Sequence, residues 1–100
     1  MNEYILLMHD DVLDPAIAND DARWNDYLSQ LRASGQFDGG SSIGAGAAFK
    51  KHHADPPGLT AINGYIRIRA ESIDAARRLL NGNPNYEAGG TVEIRELPHQ

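Results

Sequence analysis

The chain has 100 residues, 41% of them hydrophobic and 23% charged, which is the composition of an ordinary globular protein and excludes a disordered chain. A net charge of -5 argues against nucleic acid as a partner, because binding to its backbone depends on clustered Lys and Arg. Cysteine is absent, no apolar run reaches the roughly 20 residues that span a bilayer, and the N-terminus lacks the pattern of a signal peptide, so we expect a cytoplasmic protein that has no disulfide and binds no membrane.

The N-terminal third predicts a strand and then an amphipathic helix. The apolar run from Tyr4 to Met8 is short and is typical of a buried strand. Asn19 or Asp20 can cap the helix that follows, and Gly35 is the expected left-handed stop at its end. Four side chains recur at the spacing of one helical face: Trp24, Tyr27, Leu28 and Leu31.

The glycine-rich segment 35–51 holds half of the glycines of the chain and raises the question of a phosphate-binding loop. Such a loop needs a Lys and then a Ser or Thr directly after its last glycine, between a strand and a helix. Here Ala-Ala-Phe follows Gly46, and the whole segment comes after a helix instead of a strand. We therefore predict turns around an irregular or bulged strand, and no nucleotide site.

The C-terminal half predicts a strand, a helix and a last strand. Residues 60–70 alternate between apolar and polar positions, as a strand with one buried face does. Ser72 can cap the next helix. Its buried side is assigned to Ile73, Ala76, Leu79 and Leu80. Residues 81–90 are predicted to connect this helix to a strand at 91–97, and the proline-containing residues 52–59 to form a surface loop.

The resulting order, β-α-β-β-α-β, is that of the ferredoxin-like α+β fold, in which two helices cover one face of an antiparallel sheet. We predict one domain of this kind over residues 1–100. The uncovered side of the sheet, called the open face below, is predicted to carry Tyr65, Arg67, Arg69, Glu93 and Arg95. An open face can be solvated, or it can stack on the same face of a second subunit. We expect the second arrangement, a homodimer.

Three stretches, residues 22–40, 64–80 and 83–97, carry a resemblance to a known family. They are similar to members of the YCII-related family, which includes YciI-like and DGPF-domain proteins, over nearly the whole chain and in the same order. The resemblance implies a ferredoxin-like fold that associates as a dimeric α/β barrel. It also implies a family whose biochemical role is mostly unestablished, with some members proposed as enzymes and a few acting on chlorinated aromatic degradation products.

The chain departs from that family at the positions where chemistry would be expected. Trp24 stands where YciI-like members have a His on the first helix, and Asn83 stands where a turn carries an aspartate. The Asp-Gly-Pro-Phe motif of the other branch is missing. The resemblance therefore predicts a divergent member and transfers no catalytic residue.

His9, Asp10 and Asp11 follow one another at the end of the first strand, where strand ends usually meet a cleft. An imidazole beside a carboxylate can act as a general base near neutral pH, so His9 and Asp10 are the candidate catalytic residues. The alternative, which we favour, is a histidine that is solvated or bonded to the backbone.

His52 and His53 are adjacent in the predicted loop and could join His9, Asp10 or Asp55 around a divalent metal. Adjacent histidines rarely point at one ion, and the two-His spacing of a helical zinc site is missing. Loop histidines on the surface are the better interpretation. We predict no metal and no cofactor.

The candidate ligand-binding residues are Trp24, Tyr65, Arg67, Arg69 and Arg95. Trp24 and Tyr27 share a helical face, which is more typical of core residues than of a ligand platform. A guanidinium suits a carboxylate ligand, but Glu93 or solvent could satisfy the open-face arginines equally well. Both interpretations stay open.

Two hypotheses about function follow. The first is a dimeric protein that binds or transforms a small acidic metabolite in a cleft, with His9 as the base and Arg67 or Arg69 holding the ligand. The alternative is a noncatalytic dimeric regulatory or interaction module, in which the charged sheet face specifies the dimer. We prefer the first, and whether the protein is an enzyme is left open.

Overall fold

The structure is a computed structural model and describes residues 1–52, 54 and 61–99. Its strands are β1 (Asn2–His9), β2 (Phe37–Ser42), β3 (Ile62–Ala70) and β4 (Val92–Leu97). Its helices are α1 (Pro15–Ala18), α2 (Asp21–Ser34), α3 (Ile73–Arg78) and α4 (Pro84–Glu87). None of these helices is long and apolar enough to cross a bilayer.

The four strands form one antiparallel sheet in the order β2-β3-β1-β4. The first strand is therefore central, with the third and fourth strands on either side of it. This order confirms the predicted ferredoxin-like α+β fold, with α2 and α3 as its two principal helices.

The core lies between the helices and one face of the sheet. Strand alternation directs Leu6 and Ile68 to this face, and both are completely buried. Helix α2 contributes Tyr27 and Leu31 to the same cluster, α3 contributes Ala76, and the turn after α3 contributes Leu80.

The caps were predicted correctly. The Asp20 carboxylate accepts hydrogen bonds from the backbone N–H groups of Ala22 and Arg23, which have no partner within the first turn of the helix. Ser72 accepts from the N–H of Ala75 at the start of α3, and Gly35 ends α2 with a left-handed φ of 74°.

One predicted core position is wrong: Ile73 is 53% exposed. The prediction assumed a continuous helix that placed Ile73, Leu79 and Leu80 on one face. The helix ends at Arg78, so Leu79 and Leu80 reach the core through the turn that follows it. The positions therefore do not share a helical face.

Two short helices were not predicted. Asp14 caps α1 and Asn83 caps α4, and each cap precedes a proline that occupies the first helical position. The predicted connection at 81–90 thus contains a turn of helix. Asn83 is completely buried, and among the described residues its Nδ2 has no hydrogen-bond partner that satisfies normal geometry.

The glycine-rich segment begins with a bulged strand, as predicted. The pairing of β2 with β3 shifts register between Phe37 and Gly40, and Gly39 has a φ of 100°. Residues 43–50 have no regular secondary structure and are mostly exposed. Most of the loop predicted at 52–59 lies outside the described residues.

Candidate functional site

A cleft of about 480 Å³ opens on the helix side of the sheet, between α2 and the ends of β2 and β3. Trp24, Leu28 and Arg32 line it from the helix, and Phe37 lines it from β2. Gly40 and Gly64 form part of its floor. A Cβ at Gly64 would lie 3.0 Å from Met8 Cε, so the floor is already in contact with the core.

The apolar side chains on one face of α2 lie partly in the core and partly at the edge of this cleft. Tyr27 and Leu31 are buried against the sheet, whereas Trp24 and Leu28 are half-buried and border the cleft. The indole N–H of Trp24 donates to the Ala18 carbonyl at 2.7 Å, and the ring meets Tyr27 edge to face at 6.2 Å between centroids. These contacts hold the Trp24 ring in one orientation as a wall of the cleft.

Arg32 is the cation among the described residues that line the cleft. Its guanidinium carbon lies 5.4 Å from the centroid of the Phe37 ring, a cation–π contact. Ser42, Asn63 and Asp21 also border the cleft. Arg32 was not singled out from the sequence, although Trp24, Leu28 and Arg32 follow one another at intervals of four residues on the same helical face.

The open face carries the other predicted side chains. The register places Tyr65 opposite Leu7, and Arg67 and Arg95 opposite Ile5 on its two sides. These side chains therefore lie on the opposite side of the sheet from Trp24. Tyr65 as a residue also borders the cleft, but strand alternation directs its side chain to the open face.

Each open-face arginine has a carboxylate partner within the chain. An Nη2 of Arg67 lies 3.5 Å from Glu3, and an Nη1 of Arg95 lies 3.1 Å from Glu93. The Nε of Arg69 lies 3.1 and 3.0 Å from the two carboxylate oxygens of Asp38. Of the two interpretations left open by the sequence, internal pairing is the one that this geometry favours.

His9 is close to a carboxylate that the sequence did not suggest. Its Nε2 lies 3.0 Å from Oε1 of Glu93, which is also on the open face. Arg95 and His9 lower the pKa of Glu93, with Arg95 as the larger cause. An imidazole oriented by a carboxylate can transfer a proton. The proposed catalytic role of His9 and Asp10 stays a prediction.

The aspartates after His9 have a different setting. The carboxylate of Asp11 accepts hydrogen bonds from the Thr91 hydroxyl at 2.6 Å and the Thr91 N–H at 2.7 Å, and these bonds lower its pKa. Asp10 is exposed, and its backbone N–H donates to the Ala61 carbonyl. Asp11 therefore ties the end of β1 to the start of β4.

No group of three or more His, Asp or Glu side chains within the described ranges is placed to hold a metal ion. His52 is exposed and has a left-handed φ of 64°. His53 and Asp55, which were considered as ligands, lie outside the described residues.

No family model matches the chain, and no curated protein does. A solved structure is similar: 5-chloro-2-hydroxyhydroquinone dehydrochlorinase from Burkholderia phenoliruptrix, in complex with 2,5-dihydroxybenzoquinone. The two chains share 15% sequence identity with a TM-score of 0.60, and the similarity covers 98% of this chain and 95% of the other. At that identity the likeness shows the fold alone, and it is consistent with the dimeric α/β barrel fold. Membership of the YCII-related family stays a prediction.

Proposed function

We propose that this protein binds a small planar metabolite with an acidic oxygen in the cleft beside α2. The observation that carries the proposal is the pairing of aromatic walls with one cation: Trp24 and Phe37 line the cleft, and Arg32 lies over the Phe37 ring. The ligand class is an aromatic carboxylate or a hydroxyquinone.

The dimensions and chemistry of the cleft support such a ligand. Small-molecule sites are typically about 300 to 1,000 Å³, mostly apolar, with a few polar groups that fix orientation. The cleft has about 480 Å³, and Leu28 adds to its apolar wall. A flat ring can stack on Trp24 while the Arg32 guanidinium binds two neighbouring oxygens of the ligand, such as those of a carboxylate, through two parallel hydrogen bonds.

The similar solved structure supports the same class of ligand. That dehydrochlorinase is described in complex with 2,5-dihydroxybenzoquinone, a flat ring with acidic hydroxyl groups. Because only the fold is shared, this molecule serves as a probe for the proposed cleft and not as its assigned ligand.

The proposal is one of binding rather than of catalysis by His9. The described ionisable residues that border the cleft are Asp21, Arg32 and Tyr65. His9 and Glu93 lie on the open face and do not border this cleft. A reaction that uses His9 would therefore need a ligand bound on the open face.

The sole tryptophan of the chain provides the test, because Trp24 lines the cleft. Titration with 2,5-dihydroxybenzoquinone and with aromatic carboxylates should quench its fluorescence to saturation, after correction with free tryptophan for light absorbed by the ligand. Arg32→Ala should weaken binding about 10- to 150-fold, since a hydrogen bond to a charged group contributes about 1.5 to 3 kcal/mol. Arg77→Ala, which removes an exposed cation from α3, is the matched control and should bind like the wild type. Quenching without saturation, or equal loss in both variants, contradicts the proposal.

The noncatalytic dimeric module is the second candidate. Its supporting observation is that Arg67, Arg69 and Arg95 are paired with carboxylates of their own chain, while Ile5 in the central strand is only half-buried. A sheet face of this kind can be covered by its copy without leaving the arginines unpaired.

A further inference from the structure

Arg69 lies on the open face and is hydrogen-bonded to the segment between α2 and β2, which leads into the wall of the cleft. Its Nε contacts both carboxylate oxygens of Asp38 at 3.1 and 3.0 Å, and its Nη2 donates to the Gly35 carbonyl at 2.6 Å. The backbone of Arg69 exchanges two further bonds with Gln36, through its N–H at 2.9 Å and through its carbonyl at 2.8 Å. Residues 35–38, called the α2–β2 corner here, are thus held at three positions by one residue.

The α2–β2 corner needs this support because its pairing with β3 is interrupted. The described pairs are Phe37 with Ile68 and Gly40 with Ile66, so that Asp38 and Gly39 bulge out of the ladder. Both Gly35 and Gly39 have positive φ values. The Nε–H of Arg69, shared between the two carboxylate oxygens of Asp38, holds this residue at the point where the ladder is interrupted.

Phe37 is the one corner residue directed to the other side of the sheet. It pairs with the buried Ile68, packs against the core and lines the cleft, where Arg32 lies over its ring. Its two neighbours, Gln36 and Asp38, are both bonded to Arg69. The position of the ring, and through it the position of the Arg32 guanidinium, therefore depends on contacts made on the open face.

An exposed ion pair with one contact usually contributes little to stability. The Arg67–Glu3 pair, at 3.5 Å, is of that kind. Arg69 differs because its Nε–H is shared between both Asp38 oxygens while its Nη2 donates to the Gly35 carbonyl. The guanidinium is thus held through two of its nitrogens at once, which the single ammonium of Lys cannot reproduce. Arg67 and Arg69 are two residues apart on the same strand and face, which makes them a matched pair for mutation.

We propose that Arg69 is a positioning residue of the cleft, which sets the placement of Phe37 and Arg32 from the opposite face of the sheet. The inference rests on the proposed function in one respect, because one of the two properties expected to change is the affinity for a ligand. The link between Arg69 and the Arg32–Phe37 contact is a property of the protein without ligand.

The first readout therefore uses no ligand. Protons of the Arg32 side chain that lie over the Phe37 ring should show an upfield ring-current shift in NMR spectra. Arg69→Lys should reduce this shift toward the value in Phe37→Leu, whereas Arg67→Lys should leave it unchanged. A shift that survives in Arg69→Lys overturns the inference, whether or not the protein binds a ligand.

The second readout is the affinity for 2,5-dihydroxybenzoquinone, measured by Trp24 fluorescence well below the melting temperatures of all variants. Arg69→Lys should weaken binding about fivefold and Arg67→Lys by less than about twofold, the scale of effects expected from a residue that touches no ligand. In a Phe37→Leu background the Arg69→Lys loss should disappear, which general loosening of the fold would not produce. Additive losses overturn the inference; absence of binding to the wild type overturns the proposed function and leaves the NMR result to decide the role of Arg69.

Discussion

The imidazole of His9 and the carboxylate of Glu93 lie 3.0 Å apart and connect the last residue of β1 with the second residue of β4 across the open face. The Glu93 carboxylate also accepts a hydrogen bond from Arg95 at 3.1 Å. It therefore lies between two cationic groups when His9 is protonated. Both neighbours favour the ionised form and lower the pKa of Glu93 below its ordinary 4.5.

This lowered pKa predicts a loss of stability in acid. A carboxyl whose pKa is lower in the folded state stabilises the fold above the unfolded value of 4.5, and that stabilisation is lost as the pH falls through the folded pKa. Glu93→Gln should therefore flatten the decline in the free energy of unfolding, measured by urea denaturation between about pH 6 and about pH 3. Glu96→Gln, on the same strand, is the control, and an equal effect of both changes would refute the assignment to Glu93.

Tyr27 predicts a loss of stability in alkali. Its ring is 2% exposed, its hydroxyl donates to the Leu79 carbonyl at 2.7 Å, and burial raises its pKa to about 12 while the Asn83 amide acts in the opposite direction. Because the folded pKa lies above the unfolded value of 10, the stabilisation is present below pH 10 and is lost as the pH rises toward about 12.

Tyr27→Phe should cost about 1 to 3 kcal/mol at neutral pH, since it leaves a buried carbonyl without its donor. It should also reduce the alkaline decline in stability, followed by circular dichroism during urea titration. Tyr86→Phe is the control, because Tyr86 is 41% exposed. A Tyr27→Phe variant with an unchanged free energy of unfolding would contradict this account of the core.

Gly40 lies so close to the neighbouring strand that we predict a requirement for glycine at this position. A Cβ there would lie 2.5 Å from the Tyr65 carbonyl oxygen, a backbone atom that cannot move without breaking the pairing of β2 with β3. Gly40→Ala should destabilise the protein by about 1 to 3 kcal/mol, whereas a Cβ at Gly44 would meet open space, and Gly44→Ala should be close to neutral. The melting temperatures of the two variants test this prediction. Equal melting temperatures would be evidence against a close approach at Gly40.

The position of Ile5 allows a test of which face of the sheet two copies share in the predicted homodimer. It lies in the central strand between Arg67 and Arg95, so an Asp at this position would place a buried charge between two stacked sheets. Ile5→Asp should give a monomer by light scattering at concentrations where the wild type is a dimer. Ile73→Asp, which alters an exposed isoleucine at the start of α3, should remain a dimer. A monomeric wild type, or a dimeric Ile5→Asp variant, would contradict the stacked arrangement.

The fold could be predicted because its signals are local. Alternation over β3, the stripe of α2 and the capping side chains of Asp20 and Ser72 each determine one element, and the β-α-β-β-α-β order then restricts the topology. The short helices α1 and α4 were missed because four residues give no periodicity, although a cap followed by Pro15 or Pro84 marks their starts.

The candidate site was harder to predict because it depends on contacts between distant parts of the chain. Glu93 is the carboxylate near His9, yet 84 residues separate the two, and only the antiparallel register of β1 with β4 brings them together. Arg32 and Phe37 are close in sequence, but their contact depends on how the chain turns between α2 and β2. Trp24 was among the predicted ligand residues although its helical spacing is more typical of a core residue, and it lines the cleft.

The interrupted pairing at Phe37 and Gly40 also affects how the protein avoids aggregation. As the first strand of the sheet order, β2 presents one outer edge to solvent, where another chain could add a strand. Its bulge, its glycines and its exposed Ser41 and Ser42 disturb the regular row of N–H and C=O groups that such an addition requires. At the opposite edge, β4 carries Arg95 and Glu96 and is followed by Pro98. Both edge strands are therefore poor templates for the addition of a further strand, and the predicted homodimer would use the open face instead.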